Sequence, residues 1–206
     1  MSKQRIGDRR LVRRGNTGGV LIGCMVVLLL IVIVAVLVLV RGYNKAVGLD
    51  EQVRSNWAQV ENQLQRRFDL IPNLVETVKG VAEHEEKIFL GIADARKAYF
   101  QAESVSEKAE TAGNLESALS RLLMLRENYP ALRSNESFLK LQDQLEGTEN
   151  RLSVERMRYN ESVKTLNTYS RQLLGRFFCG LAGVEPAEYF EVAEEAKANP
   201  QVDFSE

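Results

Sequence analysis

His84 is the single histidine among 206 residues, and it heads the triplet His84-Glu85-Glu86. A zinc-protease helix needs a second histidine one turn on, so that two imidazoles meet the metal while a glutamate serves as base. No second histidine exists, so the chain offers no obvious ligand set for catalytic zinc. Neither a Ser/His/Asp set with a nucleophile elbow nor a phosphate-cradling glycine loop is present. The acid pairs Glu85-Glu86 and Glu194-Glu195 read as solvated helix-surface pairs. Nothing in the residues argues for a catalyst, a cofactor or a metal. The two cysteines carry no redox motif. Cys24 lies in an apolar run, and Cys179 lies among Phe177, Phe178 and Leu181, where small buried packing is expected. An intermolecular bridge through Cys179 is the alternative.

Ten polar residues lie near the apolar faces of predicted helices: Arg67, Asp69, Asn73, His84, Glu85, Glu149, Asn150, Arg156, Tyr159 and Asn160. They admit two readings. They can cap helices and form hydrogen-bonded layers that set the register of a bundle. Alternatively they line a polar groove for a partner or ligand, with Arg67, Asp69, His84 and Tyr159 as its binding or hydrolytic core.

The elements that must position them are helical throughout. Four apolar stripes recur at three- and four-residue steps. The first is Val53, Trp57, Val60 and Leu64; the second runs from Leu74 through Val78, Val81, Ile88, Ile92 and Ala95 to Tyr99. The third is Leu115, Leu119, Leu122 and Leu125, and the longest runs from Phe138 to Leu173. Residues 66–72 separate the first two stripes, with Asp69 as a cap and Pro72 in the first turn, where no backbone N–H is needed. One long helix kinked at Pro72 is the alternative. Gln101 to Glu110 reads as a link, Asn128-Tyr129-Pro130 as a stop, and Ser134 or Asn135 as the next start. Beyond Gly175 a loop and then a short helix near 186–197 are expected, with a loose end at 199–206. The expected fold is all-α, an antiparallel up-and-down four-helix bundle with a short C-terminal helix.

Val20 to Val40 is different in kind: 21 residues with no charged or amide side chain. A helix of that length covers roughly 30 Å, the thickness of a bilayer's hydrocarbon core. Leu21-Ile22-Gly23-Cys24 resembles a lipoprotein cleavage site, but its apolar run follows the cysteine, whereas a signal peptide's precedes the cut. An uncleaved transmembrane signal anchor is the better reading. Residues 1–19 carry six bases and one acid, whereas residues 41–206 carry 21 bases and 27 acids. Basic flanks stay cytoplasmic, so 1–19 is expected to be a cytoplasmic tail and 43–198 an extracytoplasmic bundle. The acidic bundle excludes a basic nucleic-acid binder. The expected partners are the lipid bilayer and either membrane proteins or further copies of the chain.

The order of motifs resembles the LemA family. The resemblance rests on Tyr43-Asn44, the stretch Arg67-Phe68-Asp69-Leu70-Ile71-Pro72-Asn73-Leu74-Val75, Val78-Lys79-Gly80 and His84-Glu85. It continues through Ala95-Arg96, Glu127-Asn128-Tyr129-Pro130, Leu145-Glu146-Gly147-Thr148-Glu149-Asn150 and Arg158-Tyr159-Asn160. Val163, Asn167, Tyr189-Phe190-Glu191 and Val202-Asp203-Phe204 complete it. Family members commonly carry Phe-Pro where this chain has Leu173-Leu174, so its last long helix is expected to run about a turn further. The resemblance implies a bacterial inner-membrane protein with an N-terminal anchor and a helical bundle, and no established enzyme activity. It implies a scaffold or adaptor of the cell envelope. The family's similarity to a protein needed for forming magnetosome membranes suggests the same role; the alternative, a homo-oligomeric membrane-remodelling or organelle-forming factor, rests on a Val/Ile-rich span and a bundle that could pack side by side.

Overall fold

The computed structural model describes residues 17–191. The N-terminal tail as far as residue 16, most of the helix expected near 186–197 and the loose end lie outside the described residues. The chain divides into two compact units, Met1–Gly42 and Tyr43–Glu206. The described residues are all-α, with no strand among them.

The first unit holds the N-terminal part of α1 (Thr17–Lys79). All side chains at 23–41 are exposed, including the unbroken apolar series from Met25 to Val40. This part is long and apolar enough to cross a membrane, and none of it is buried by protein. A soluble core helix of such composition would be covered by its neighbours.

The second unit holds the rest of α1 together with α2 (Glu86–Gln101), α3 (Val105–Asn128), α4 (Pro130–Arg133), α5 (Glu136–Arg171) and α6 (Leu173–Ala182). Cross-contacts give the directions of the helices. Along α1, Trp57 and Arg67 meet Tyr159 and Glu149 of α5, so the two helices run antiparallel. Glu61 meets Lys108 on α3, and Phe68 meets Tyr99 near the end of α2. The result is an up-and-down bundle of four long helices, as the stripes predict.

Of the two readings of residues 66–72, the single long helix containing Pro72 holds and the break does not. Helix α1 runs straight through 66–72, so Asp69 caps nothing; it is exposed and accepts from Gln65 Nε2 at 2.8 Å. Proline inside a helix removes one backbone hydrogen bond and costs about 3 kcal/mol. Burial of Phe68, Ile71 and Leu74 on the same face offsets that loss. The chain breaks instead at 80–85, so the second stripe is split between α1 and α2. Gly80, the weakest helix former there, opens this turn.

The next link is also shorter than expected. Helix α3 begins at Val105, where Ser104 accepts from the Glu107 N–H at 3.1 Å while the Glu107 carboxylate accepts from the Ser104 N–H at 3.2 Å. This reciprocal capping box starts the helix within the polar stretch. Its backbone donors hold the Glu107 carboxyl below the usual glutamate range. Asn135 caps α5 as expected, accepting from Phe138 N–H at 3.0 Å.

At the other end, helix α5 stops at Arg171 although no proline follows. Gly175 packs so close to the Tyr169 carbonyl that a methyl group there would overlap it, which permits a sharp turn into α6. Helix α6 ends at Gly183, whose left-handed φ of 67° suits glycine. The loop expected just beyond Gly175 is instead helical as far as Ala182, and residues 184–191 form a strap without regular secondary structure.

Candidate functional site

Unequal helix lengths set up the site. Helix α2 has 16 residues against 36 in α5, about 24 Å against about 54 Å at the helical rise. Beyond the end of α2 the bundle has only three long helices, and the strap fills the fourth place. Phe190 is its plug: buried, with Trp57 6.1 Å away and the Arg156 guanidinium 4.9 Å above its ring.

The strap is held through its backbone. Asn160 donates to the Phe190 carbonyl at 3.0 Å and accepts from the Phe190 N–H at 2.8 Å. One heptad along α5, Asn167 repeats the device on Ala187, donating at 2.9 Å and accepting at 3.0 Å. Each amide side chain thus satisfies both polar groups of one strap residue, as a neighbouring β-strand would. Between them, Tyr159 Oη donates to the Glu188 carbonyl at 2.8 Å. Its ring stands 5.2 Å from Trp57, and burial pushes its phenol up to about 12, with a smaller push from Glu188. The Glu188 carboxylate accepts from Ser106 N–H at 3.2 Å, in the first turn of α3. That turn has backbone donors without helical partners, and its dipole favours an anion.

A charged layer lies about one to three helical turns away along α5. Arg67 from α1 pairs with Glu149, and Arg156 stands 3.6 Å from Glu149 and 4.0 Å from Glu116 of α3. Two cations and two anions from three helices therefore balance in a largely buried layer. Burial pushes both guanidinium pKa values down, and the Glu116 carboxylate pulls them back up.

The ten sequence-selected residues fall into separate places. Arg67, Glu149 and Arg156 form the charged layer, and Tyr159 and Asn160 form the clamp. Glu85 accepts from Tyr129 Oη at 3.0 Å at the far end of the bundle, and this bond raises the Tyr129 pKa. Asp69, Asn73, His84 and Asn150 are exposed. Asn73 caps no helix; its carbonyl accepts from Thr77 at 2.8 Å. Arg67, Asp69, His84 and Tyr159 do not converge, since Asp69 faces solvent and His84 sits in the 80–85 turn. An open groove of about 500 Å³ between α1 and α5, bordered by Leu49, Asn56, Met157 and Ser162, is lined by none of the ten. Sequence reasoning missed Asn167, Glu116 and Glu188 as members of these layers. The seven-residue step from Asn160 was the available signal for Asn167.

An exposed apolar helix of membrane length, joined to an antiparallel helical bundle, defines a membrane-associated helical protein. The sequence model of the LemA family matches residues 56–204, and the chain belongs to that family. It is similar to magnetosome protein MamQ 2 of Paramagnetospirillum magneticum (strain AMB-1), 24% identical over 193 residues, covering 81% of this chain and 71% of the relative. It is also similar to magnetosome protein MamQ of Magnetospirillum gryphiswaldense (strain MSR-1), 24% identical over 178 residues, covering 74% of this chain and 65% of that relative.

Proposed function

We propose that the chain is a single-pass protein of the bacterial inner membrane, with a cytoplasmic basic tail, whose extracytoplasmic bundle acts as a scaffold or adaptor for other membrane proteins. The supporting observation is the division of labour between its polar and apolar residues. The polar core groups are spent on the strap and the charged layer, while residues 23–41 leave a membrane-length apolar surface uncovered. A protein built this way presents shape and location rather than a reactive centre. The charge difference between residues 1–19 and 41–206 supports the N-in orientation.

Crosslinking in intact membranes, followed by identification of the joined proteins, tests the adaptor role. Reproducible capture of defined membrane proteins is expected, and a monomer without partners across crosslinkers contradicts it. Protease added to spheroplasts is expected to digest the bundle; full protection overturns the orientation.

The relatives' names favour a second reading, a self-assembling factor in shaping or organising a membrane compartment. That reading requires a defined oligomer in mild detergent. A monomer at every concentration rules it out.

A further inference from the structure

Helix α6 has two apolar faces, and the bundle covers only one. Phe178 and Cys179 are buried against Ala46 and Tyr169. Leu173, Leu174, Phe177 and Leu181 are 90%, 61%, 57% and 58% exposed. At about 100° per residue these four fall within an arc of roughly 100°. They form one stripe, opposite the side that touches the bundle. Water-facing helices carry charge there; this one carries two leucines, a phenylalanine and another leucine.

Chain connectivity limits what can lie nearby. Ala46, which α6 covers, is six residues beyond Val40, the last residue of the charge-free run. Six residues reach at most roughly 20 Å fully extended, and about 9 Å as a helix. If Val20–Val40 spans the bilayer, Ala46 and the helix packed on it are held within roughly 20 Å of the hydrocarbon edge.

Charge agrees with that position. Segments 41–49 and 162–184 contain five bases (Arg41, Lys45, Lys164, Arg171, Arg176) and no acid. The remainder of 41–206 contains 16 bases and 27 acids. Asp50, Glu161 and Glu185 border these segments, and Glu161 stands 3.8 Å from Lys164, so this end is less acidic than the rest of the domain rather than strongly cationic. Lys45 lies 4.7 Å from the centre of the Tyr169 ring, which keeps one of these charges at this end. Exposed Tyr43 adds an aromatic side chain of the kind enriched at membrane interfaces.

We propose that α6 is an interfacial helix whose Leu173/Leu174/Phe177/Leu181 face inserts among the acyl chains beneath anionic headgroups, giving the bundle a second attachment to the bilayer. The occupant of this face is lipid, and the proposal rests on the transmembrane reading of Val20–Val40.

The test uses the full-length chain in vesicles of phosphatidylglycerol and phosphatidylcholine brominated on its acyl chains. Trp57 is the only native tryptophan, half-buried against the core seventeen residues beyond Val40, and serves as the unquenched reference. Phe177→Trp, and separately Leu181→Trp, are expected to add emission that loses most of its intensity to the bromines. In the wild-type chain, a photoactivatable acyl chain is expected to label the peptide containing residues 173–181, which needs no substitution. Added emission no more quenched than Trp57, with no label on that peptide, overturns the proposal while the span stands. A second copy of the chain covering the face would give this same result. Release of the protein by alkaline carbonate overturns the span and the interfacial helix together.

Discussion

The charged layer and the amide clamp are adjacent along α5 but solve different problems. Arg67, Glu116, Glu149 and Arg156 join three helices through ion pairs, where desolvation costs as much as attraction returns. Such a layer adds little net stability but strongly penalises any register that leaves one charge alone. Tyr159, Asn160 and Asn167 are neutral and meet backbone groups of a strap that has no regular secondary structure. They give that segment the hydrogen bonds a helix or strand would make for itself. The comparison teaches that polar residues on buried faces of this bundle specify position: charges align helices, and amides tie down a strap.

The largest effect is expected at Glu149. Glu149→Ala leaves Arg67 buried without its direct ion pair and with only the more distant Glu116 carboxylate, and is expected to cost about 3 kcal/mol in denaturant unfolding. A loss under about 1 kcal/mol would mean that the layer is wetter than its burial indicates. The clamp comes next. Asn160→Ala strips both partners from Phe190 and is expected to cost about 1–3 kcal/mol. The strap should then become sensitive to protease near Ala187–Phe190 while the four helices keep their far-ultraviolet dichroism. Loss of the whole bundle at once would show that the strap is integral rather than a tied-down segment.

Tyr159→Phe removes one hydrogen bond and keeps the ring against Trp57, so about 1 kcal/mol is expected. This variant also carries a pH signature. The phenol is raised from an ordinary value of 10.0 to about 12, so its contribution is complete below pH 10 and is lost as pH rises towards 12. Tyr99 is raised to about 12 as well, by burial and then Glu61. Titration of stability above pH 10 should therefore show a shallower alkaline loss in Tyr159→Phe, with Tyr99 leaving a residue of it. The smallest effect belongs to Glu188→Ala. It removes an exposed anion from the first turn of α3, which is expected to cost about 0.3–1 kcal/mol and to weaken further with salt.

The stripes were legible because each long helix buries one face, and burial imposes a 3.6-residue pattern on local sequence. Leu115, Leu119, Leu122 and Leu125 are all buried, as their spacing demands. At 66–72 the sequence left a break and one long helix both open: proline is a strong local signal, while the burial of Phe68, Ile71 and Leu74 that decides for the long helix is tertiary. The ion layer was half visible: Glu149 and Arg156 share a face of α5 seven residues apart, but Glu116 comes from another helix. The clamp was visible on one side only. Tyr159 and Asn160 stand out as polar groups on an apolar face, yet their partners are backbone atoms some thirty residues on, which no side-chain pattern encodes. Asp69 and His84 suggested chemistry by type alone, and both face solvent.

The central claim is that the polar face of α5 is permanently occupied by the chain's own strap. Native-state hydrogen exchange at two amides reads this directly. The Ala187 and Phe190 N–H groups donate to Asn167 and Asn160, and in the wild-type protein they are predicted to exchange as slowly as the bundle core. Exchange at loop-like rates, with the core still protected, would contradict the account: the strap would then leave its seat freely, and Tyr159, Asn160 and Asn167 would line an open polar groove.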